Sequence, residues 1–339
     1  MWPRQRHEVR IAQPGKFLGY LPVYFADHKG YFDQQGLAVK FLNAYGDHST
    51  WDMVAQGHAE FGIADPLLML DSTQPRGLVV ASVVQRAGIY GLTRHTDFVV
   101  SSSTDFSGKR LAAFEAPSTS FALANHIRLE CVQCGVAAPE IIQIKFTSEL
   151  GYIDRPDIDV VLMTEPSATI AELGGARRVY NASAHFGDLL VTALFSTAEY
   201  VAKHRELTQS LVSGIQRSMS SIHADHLEAL RMAGKRFPEL PPIAVELGTL
   251  RLIADGVIPD RTTVSEEGWY RLRTLRDRKS PMPSIHDYVD QGFAIRAWEN
   301  AQEGEPGLLI LRPTFMGVGF DALILFRILR RWFRARRQA

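Results

Sequence analysis

Polar side chains follow several predicted strands at the points where loops lead into helices. These positions are the loop 16–22, Asp65, the run Ser118-Thr119-Ser120 and Glu165. In an open α/β sheet, ligands bind beyond the carboxyl ends of the strands, so these residues are predicted to face one cleft. A helix starting at residues 118–120 would direct backbone N–H groups into that cleft, which suits an anionic or strongly accepting group. Plain N-capping by the Ser and Thr hydroxyls is the alternative.

The carboxylates of Asp65 and Glu165 are predicted to lie on opposite sides of the cleft. Ionised carboxylates accept hydrogen bonds from an amine or from the edge of a heterocycle. If both remain ionised, like-charge repulsion disfavours a dianionic ligand. The alternative is that each carboxylate caps a helix or pairs with a nearby arginine.

Aromatic residues near the same loops offer flat surfaces for stacking on a heterocycle at little entropic cost. Tyr20 is the best placed, because it follows Gly19 in the first loop. Phe186 belongs to the segment 185–188, just before a predicted chain crossing, where a plain surface loop is the alternative. Further aromatic candidates are Tyr24, Trp51 and Tyr90. Most aromatic side chains belong to hydrophobic cores, which is the competing interpretation for each of them.

Motifs for catalysis, metals and cofactors are weak in this sequence. Cys131 and Cys134 have a redox or metal spacing, but without a second pair two packed thiols are the preferred interpretation. His223 and His226 lack a third ligand at a fixed spacing. There is no P-loop, no G-x-S-x-G and no dinucleotide fingerprint. We therefore expect no catalytic residue, no resident metal and no cofactor.

Strand and helix signals alternate through the first two thirds of the chain in two units. In the first unit, strands are predicted at 9–12, 37–42, 60–64 and 78–84. A second unit begins near residue 93, and its strands are predicted at 111–114, 141–146 and 158–163. Helices are predicted at 22–35, 49–56 and 117–134, and the pattern is helical after residue 197. This alternation predicts an α/β fold with a mostly parallel sheet. The continuous apolar run 78–84 indicates a parallel strand buried on both faces.

Composition excludes several classes of protein. The 339 residues predict two domains with sizeable cores. Equal numbers of basic and acidic residues, 37 each, give no reason to expect a nucleic-acid partner. Two cysteines exclude a disulfide scaffold. No apolar stretch reaches the ~20 residues of a membrane-spanning helix.

Four segments carry a resemblance to a known family. They read GYLPVYFA at 19–26 with KGYF at 29–32, AQGHAEFGI at 55–63, FSGKRLA at 106–112 and DIDVV at 157–161. In this order and spacing they resemble the solute-binding proteins of ABC importers, in the branch that serves nitrate, sulfonates, taurine and the thiamine pyrimidine. The resemblance covers roughly residues 8–280.

The resemblance implies a two-lobed α/β fold of the periplasmic-binding-protein kind (type II), with a ligand cleft between the lobes. Lobe 1 would contain residues 8–92 and 196–300, and lobe 2 residues 93–195, with chain crossings near 92–95 and 190–196. The implied function is non-enzymatic. The cleft would close on a small organic molecule, a pyrimidine-like heterocycle or a sulfonate, and present it to an ABC permease in the membrane.

The alternative function is a cytosolic enzyme or ligand sensor that reuses the same fold. The fungal thiamine-pyrimidine synthase is similar over the first segment, and it uses a lysine to hold pyridoxal phosphate and a histidine as donor. The matching positions here are Ala64 and Leu68, and a cysteine-rich cluster expected past the middle of the chain is absent. An amine–aldehyde linkage cannot form without the lysine, which argues against this activity.

The C-terminal residues 315–339 combine six arginines with a dense set of apolar residues. This pattern predicts a basic amphipathic helix on a membrane surface. Docking on this protein or on a partner protein is the alternative. Because no signal-peptide pattern is seen, we expect a periplasmic or membrane-associated protein if an export signal is missing from this chain, and otherwise a cytoplasmic one.

Overall fold

Two five-stranded sheets, each packed against helices, organise the chain. The structure, a computed structural model, describes residues 6–70, 75–116, 118–272, 275 and 282–303. The strands of the first sheet are β1 (His7–Gln13), β2 (Leu37–Asn43), β3 (Phe61–Ala64), β4 (Gly77–Val84) and β10 (Thr192–Thr197), in the order β2-β1-β3-β10-β4. The strands of the second sheet are β5 (Ile89–Thr93), β6 (Arg110–Phe114), β7 (Glu140–Ile144), β8 (Val160–Thr164) and β9 (Arg177–Asn181), in the order β7-β6-β8-β5-β9.

Helices connect the strands and make up most of the described chain after β10. Those before β10 are α1 (Leu21–His28), α2 (Tyr31–Gln34), α3 (Asp47–Ala55), α4 (Leu67–Leu70), α5 (Thr119–Gln133), α6 (Ser167–Leu173) and α7 (Ala182–Phe186). Those after it are α8 (Ala198–Lys203), α9 (Arg205–Ala224), α10 (His226–Arg236), α11 (Pro242–Ala254), α12 (Glu266–Arg271), α13 (Ile285–Tyr288) and α14 (Gln291–Glu303). Short 3-10 turns lie at Leu18–Tyr20, Ser103–Phe106 and Glu149–Tyr152.

The two sheets share the same plan. In each, three parallel strands are followed by one strand of opposite direction and then by a fifth strand that pairs antiparallel with it: β10 pairs antiparallel with β3 and β4, and β5 pairs antiparallel with β8 and β9. The chain leaves the first sheet after Val84 and returns to it at Thr192. The first crossing was expected near 92–95. It comes earlier because residues 89–93 form a strand of the second sheet.

The strand β4 corrects the expectation of a parallel strand. It lies at the end of the first sheet and pairs antiparallel with β10. Its continuous apolar character has another cause, since the strand contributes residues to two different hydrophobic clusters. Val79 packs in one cluster and Val80 in the other. Burial on both faces therefore does not require parallel pairing.

The helix expected over residues 22–35 is divided into α1 and α2. The division occurs at Gly30, which has a left-handed backbone with φ of 70°. The short second helix then carries Phe32 into the core against α9. A Cβ atom at Gly214 of α9 would lie 2.7 Å from the Phe32 ring, so glycine is required for this close approach.

The helices after β10 pack on the sides of both sheets. The long helix α9 packs against α1 and α14 on the side of the first sheet, whereas α11 packs against α6 on the side of the second. Within the described residues, no helix is long and apolar enough to cross a membrane. The basic segment 315–339 lies outside the described residues.

Candidate functional site

A cavity of about 100 Å³ lies between the two sheets. Its wall combines the loop after β1, the ends of β4 and β6, the start of α5, the end of β8, the return connection and part of α11. The apolar lining residues are Phe17, Val84, Ile89, Phe114, Phe146, Val191, Leu252 and Val257. The polar lining residues are Tyr20, Asp47, Asp65, Ser118, Thr119, Ser120, Thr164, Glu165 and Thr192, and Gly19 and Gly88 complete the lining.

Aromatic rings form one wall of the cavity. The Phe114 and Phe146 rings stack with their centroids 4.7 Å apart, and Phe17 meets Phe146 edge-on at 6.1 Å. Phe17 also meets Tyr20 edge-on at 5.5 Å. Because these rings come from both sides of the cavity and support one another, they form an apolar aromatic surface that can contact a ring-shaped ligand.

Carboxyl groups set the charge of the cavity. Asp47 and Asp65 are both buried and line it from the side of the first sheet. Among the described residues that line the cavity, none is a lysine, arginine or histidine. The site therefore favours a ligand that donates hydrogen bonds or carries positive charge over an anion.

Asp65 joins the two sides of the cavity. It follows β3, and its Oδ1 accepts a hydrogen bond from the Leu67 N–H at 2.9 Å. Its Oδ2 accepts one from the Thr119 hydroxyl at 3.0 Å. Since Thr119 opens α5 beside the second sheet, this bond spans the space between the sheets. A ligand donor that reaches Asp65 would meet a carboxylate already held in position.

Burial beside Asp65 raises the pKa of Asp47 to about 7. Loss of solvent around the carboxylate is the larger cause, and the negative charge of Asp65 is the second. A hydrogen bond from the Asp65 backbone N–H opposes both. Asp47 can therefore change its charge near neutral pH within the cavity.

This raised pKa predicts that an Asp47→Asn variant gains stability over the wild type as pH rises. Between about pH 4 and pH 7 the folded wild type holds a proton that its unfolded chain releases, so wild-type stability falls through this window. The advantage of the variant should be roughly 2–4 kcal/mol larger at pH 8 than at pH 4.5. Urea denaturation at the two pH values measures it, with the exposed Asp52→Asn change on the same helix as control. An advantage that does not depend on pH would contradict the assignment.

The hydroxyls of the serine run mainly bond to their own loop. Ser118 is the N-cap of α5, accepting a hydrogen bond from the Phe121 N–H at 3.1 Å and donating to the Phe114 carbonyl at 3.2 Å. The Ser120 hydroxyl accepts from the Phe114 N–H at 3.3 Å. Both residues line the cavity, so contact with a ligand stays a prediction for them. The Ser118 hydroxyl does cap the helix, which was the alternative to ligand contact.

Tyr20 and Glu165 also line the cavity. Burial and the charge of Asp47 raise the pKa of Tyr20 well above its usual range, so its hydroxyl, hydrogen-bonded to the Thr192 side chain, stays neutral. Glu165 pairs with Arg251 of α11 and accepts a hydrogen bond from the Thr169 N–H at 3.2 Å. Glu165 thus makes the arginine pair that was weighed as the alternative to ligand contact. The guanidinium of Arg251 neutralises its negative charge.

The other predicted aromatic residues lie elsewhere. Phe186 is absent from the cavity lining and packs edge-on against His126 and His185 at 5.1 and 4.7 Å between ring centroids. Three further aromatic candidates, also absent from the lining, are core residues: Tyr24, Trp51 and Tyr90.

Several lining residues were missed in the sequence. Asp47 is an acid in the first turn of the helix that follows β2, and the strand-end rule that selected Asp65 applies to it equally. Phe146 follows β7 in the same way. Leu252 and Val257, by contrast, come from the helical C-terminal third, for which no local pattern indicates proximity to the cleft.

Comparison with known proteins agrees with this architecture. Residues 19–229, more than half of the chain, match the family described as "NMT1/THI5 like". The chain belongs to this family. A relative is "Putative binding protein YtlA" of Bacillus subtilis (strain 168), which is 18% identical to this chain over 291 residues. The aligned part covers 83% of this chain and 86% of the relative.

Two solved structures show the same fold at low sequence identity. One is the ligand-binding component of an ABC-type import system from Staphylococcus aureus with zinc bound, with 13% identity, a TM-score of 0.70 and coverage of 86% of this chain and 99% of that one. The other is the alkanesulfonate-binding protein SsuA of Xanthomonas axonopodis pv. citri bound to MOPS, with 15% identity, a TM-score of 0.61 and coverage of 81% and 96%. The predicted α/β fold of the periplasmic-binding-protein kind is confirmed, as is the resemblance to this branch of binding proteins.

The positions weighed for a thiamine-pyrimidine-synthase activity are both apolar in this NMT1/THI5-like chain. Ala64 is the last residue of β3 and is fully buried, and Leu68 lies in α4. Neither side chain can form a linkage to pyridoxal phosphate.

Proposed function

We propose that this protein is the solute-binding component of an ABC-type importer, and that its cavity binds a single-ring molecule with hydrogen-bond donors, such as an aminopyrimidine. The observation that carries the choice of ligand is the pair of buried carboxylates, Asp47 and Asp65, in a lining that contains no basic residue among those described. The molecule leaves the site chemically unchanged.

The size of the cavity supports a ligand of one ring. An apolar cavity of about 150 Å³ accommodates benzene, and the volume here is of the same order, about 100 Å³. The stacked Phe114 and Phe146 rings and the edge of Phe17 offer the apolar contact, while Asp65 and Tyr20 offer polar anchors. An aminopyrimidine has both an aromatic face and exocyclic N–H donors.

A sulfonate fits this cavity less well than a heterocycle. An anionic head near Asp65 would meet like charge in a poorly solvated space, where Coulomb repulsion is stronger than in water. Arg251, on the helix that contributes Leu252 to the lining, is already paired with Glu165 and Glu172. Of the two ligand classes expected from the sequence, we therefore propose the heterocycle.

Closure of two lobes would couple ligand binding to delivery. The proposed lobes are those inferred from the sequence, with two changes. Residues 89–92 are reassigned to the second lobe because they form part of β5, and residues 192–195 to the first because they form part of β10. The Asp65–Thr119 hydrogen bond lies where the lobes would meet and would be strengthened by a ligand bound on both sides. The closed form would be recognised by an ABC permease in the membrane, with the protein on the outer side of that membrane.

A thermal-shift comparison of ligands with matched rings tests the proposal. We expect 4-aminopyrimidine and benzylamine to raise the melting temperature, whereas benzenesulfonate and nitrate should not. At 100 times its Kd, a ligand adds about 2.7 kcal/mol of stability, which corresponds to several degrees. Stabilisation by benzenesulfonate but by neither amine would contradict the proposed ligand class.

A further inference from the structure

A second cluster of chemically capable side chains lies beside the second sheet. His126 and Glu130 lie one turn apart on α5, and His185 comes from α7. One potential ligand atom from each of the three lies within 4.8 Å of the other two. None of the three lines the cavity between the sheets. The cluster is therefore distinct from the proposed cargo site.

The separations within the cluster are close to those of a metal site. His126 Nε2 lies 3.2 Å from Glu130 Oε1, and His185 Nε2 lies 3.9 Å from Glu130 Oε2. Ligands bound to zinc at about 2.0–2.2 Å in a tetrahedron lie about 3.3–3.6 Å from one another. The three candidate ligand atoms lie within 4.8 Å of one another, so side-chain movements of up to about one ångström would bring them to such positions.

Two buried oxygen atoms at this cluster make no hydrogen bond with any described residue. They are Glu130 Oε2 and the Tyr180 hydroxyl. The Tyr180 ring lies 5.6 Å from the His185 ring. Because buried polar atoms are nearly always paired, two unpaired ones in one place indicate coordinating capacity that the protein itself does not use.

The two histidine side chains are also packed in place before any ion binds. The Phe186 ring packs edge-on against both imidazoles. Asn181 caps α7 by accepting a hydrogen bond from the Ser183 N–H at 3.0 Å. The imidazole of His126 is buried, whereas His185 and Glu130 are partly exposed, which gives an ion a path from solvent.

We propose that His126, Glu130 and His185 bind a divalent transition-metal ion of the zinc class. Two imidazoles and one carboxylate suit zinc, with water completing the tetrahedron, whereas calcium and magnesium prefer sites built from oxygen. This assignment differs from the expectation of no metal. The sequence drew attention to His223 and His226, whereas the three side chains of this cluster come from two separate helices. The ion would link α5 to α7, directly before the chain returns to the first sheet.

Calorimetric titration of the full-length protein, dialysed first against a chelator, tests this site. We expect one equivalent of Zn²⁺ to bind and Mg²⁺ not to bind. His185→Gln and Glu130→Gln should each weaken Zn²⁺ binding more than tenfold. The matched control is His95→Gln, because His95 lies 3.6 Å from a single carboxylate, that of Asp159, outside the cluster.

A spectroscopic readout separates a defined site from loose surface binding. Co²⁺ in place of Zn²⁺ should give the intense visible absorption of a tetrahedral complex in the wild type and the control, and lose it in His185→Gln. The test replaces His185 because this side chain is partly exposed, so its loss disturbs the packing less than loss of the buried His126 would. Absence of Zn²⁺ binding by the wild type, or affinity unchanged in both cluster variants, would overturn the proposal. Neither result depends on whether 4-aminopyrimidine binds in the cavity.

Discussion

Replacement of Arg251 by methionine is expected to lower the free energy of unfolding by about 3–5 kcal/mol, because it leaves a buried carboxylate without its partner. The Glu165 side chain is fully buried, and Arg251 bridges it to Glu172. Burial raises the pKa of Glu165, and the charge of Arg251 opposes that rise. Arg251 also donates to the Thr169 hydroxyl at 3.2 Å. The loss therefore affects a connected group of polar side chains.

The matched control for Arg251→Met is the double variant Glu165→Gln/Arg251→Met. Removing both charges leaves no uncompensated buried ion, so the double variant should recover most of the stability that the single variant loses. Chemical denaturation of the three proteins at pH 7 provides the comparison. A single variant that loses less than about 1 kcal/mol would place Arg251 in the class of surface ion pairs instead.

This ion pair also shows how the fold supports the cavity. Arg251 belongs to α11, which packs on α6 and contributes Leu252 to the cavity lining. A Cβ atom at Gly248 of the same helix would lie 2.9 Å from Glu165 Oε2, so glycine allows the helix to approach the carboxylate. The helix from the C-terminal third is thus fastened to the second sheet at the edge of the site.

Asp65→Ala is expected to reduce the affinity for 4-aminopyrimidine by roughly 10- to 100-fold. A hydrogen bond to a charged group contributes about 1.5–3 kcal/mol, and the variant removes the carboxylate that would accept it. Thr119→Val removes only the hydroxyl that orients Asp65, so its effect should be smaller, about threefold to tenfold. Titration calorimetry of each variant measures these losses.

The control for these cavity variants is Asp154→Ala. Asp154 is an exposed carboxylate that pairs with Arg94 on the surface, away from the cavity lining. Its removal changes the net charge as Asp65→Ala does, and it should leave ligand affinity unaltered. Equal affinity in the wild type, Asp65→Ala and Thr119→Val would remove Asp65 from the proposed site.

Local sequence rules indicated part of the cavity lining. Asp65, Thr119 and Glu165 each follow a strand of an α/β unit, and such positions lie at the carboxyl edge of the sheet whatever the partners of the strand. All three line the cavity. The α/β pattern itself depends on the same short-range periodicity, and the fold class was correctly predicted from it.

Long-range contacts could not be predicted in the same way. Glu165 meets Arg251, which lies 86 residues further along the chain, and no local pattern relates them. The pairing direction of β4 depends on β10, which is separated from it by the whole second sheet. His126 and His185 likewise come together through tertiary packing, whereas the sequence suggested only the neighbouring pair His223 and His226.

A crystal structure of the protein grown with 4-aminopyrimidine would show directly where the ligand binds. We expect the ring in the cavity between the sheets, against Phe114 and Phe146, with its amino group within hydrogen-bonding distance of Asp65 or Asp47. A ring bound outside this cavity, or one whose amino group points away from both carboxylates, would contradict this expectation.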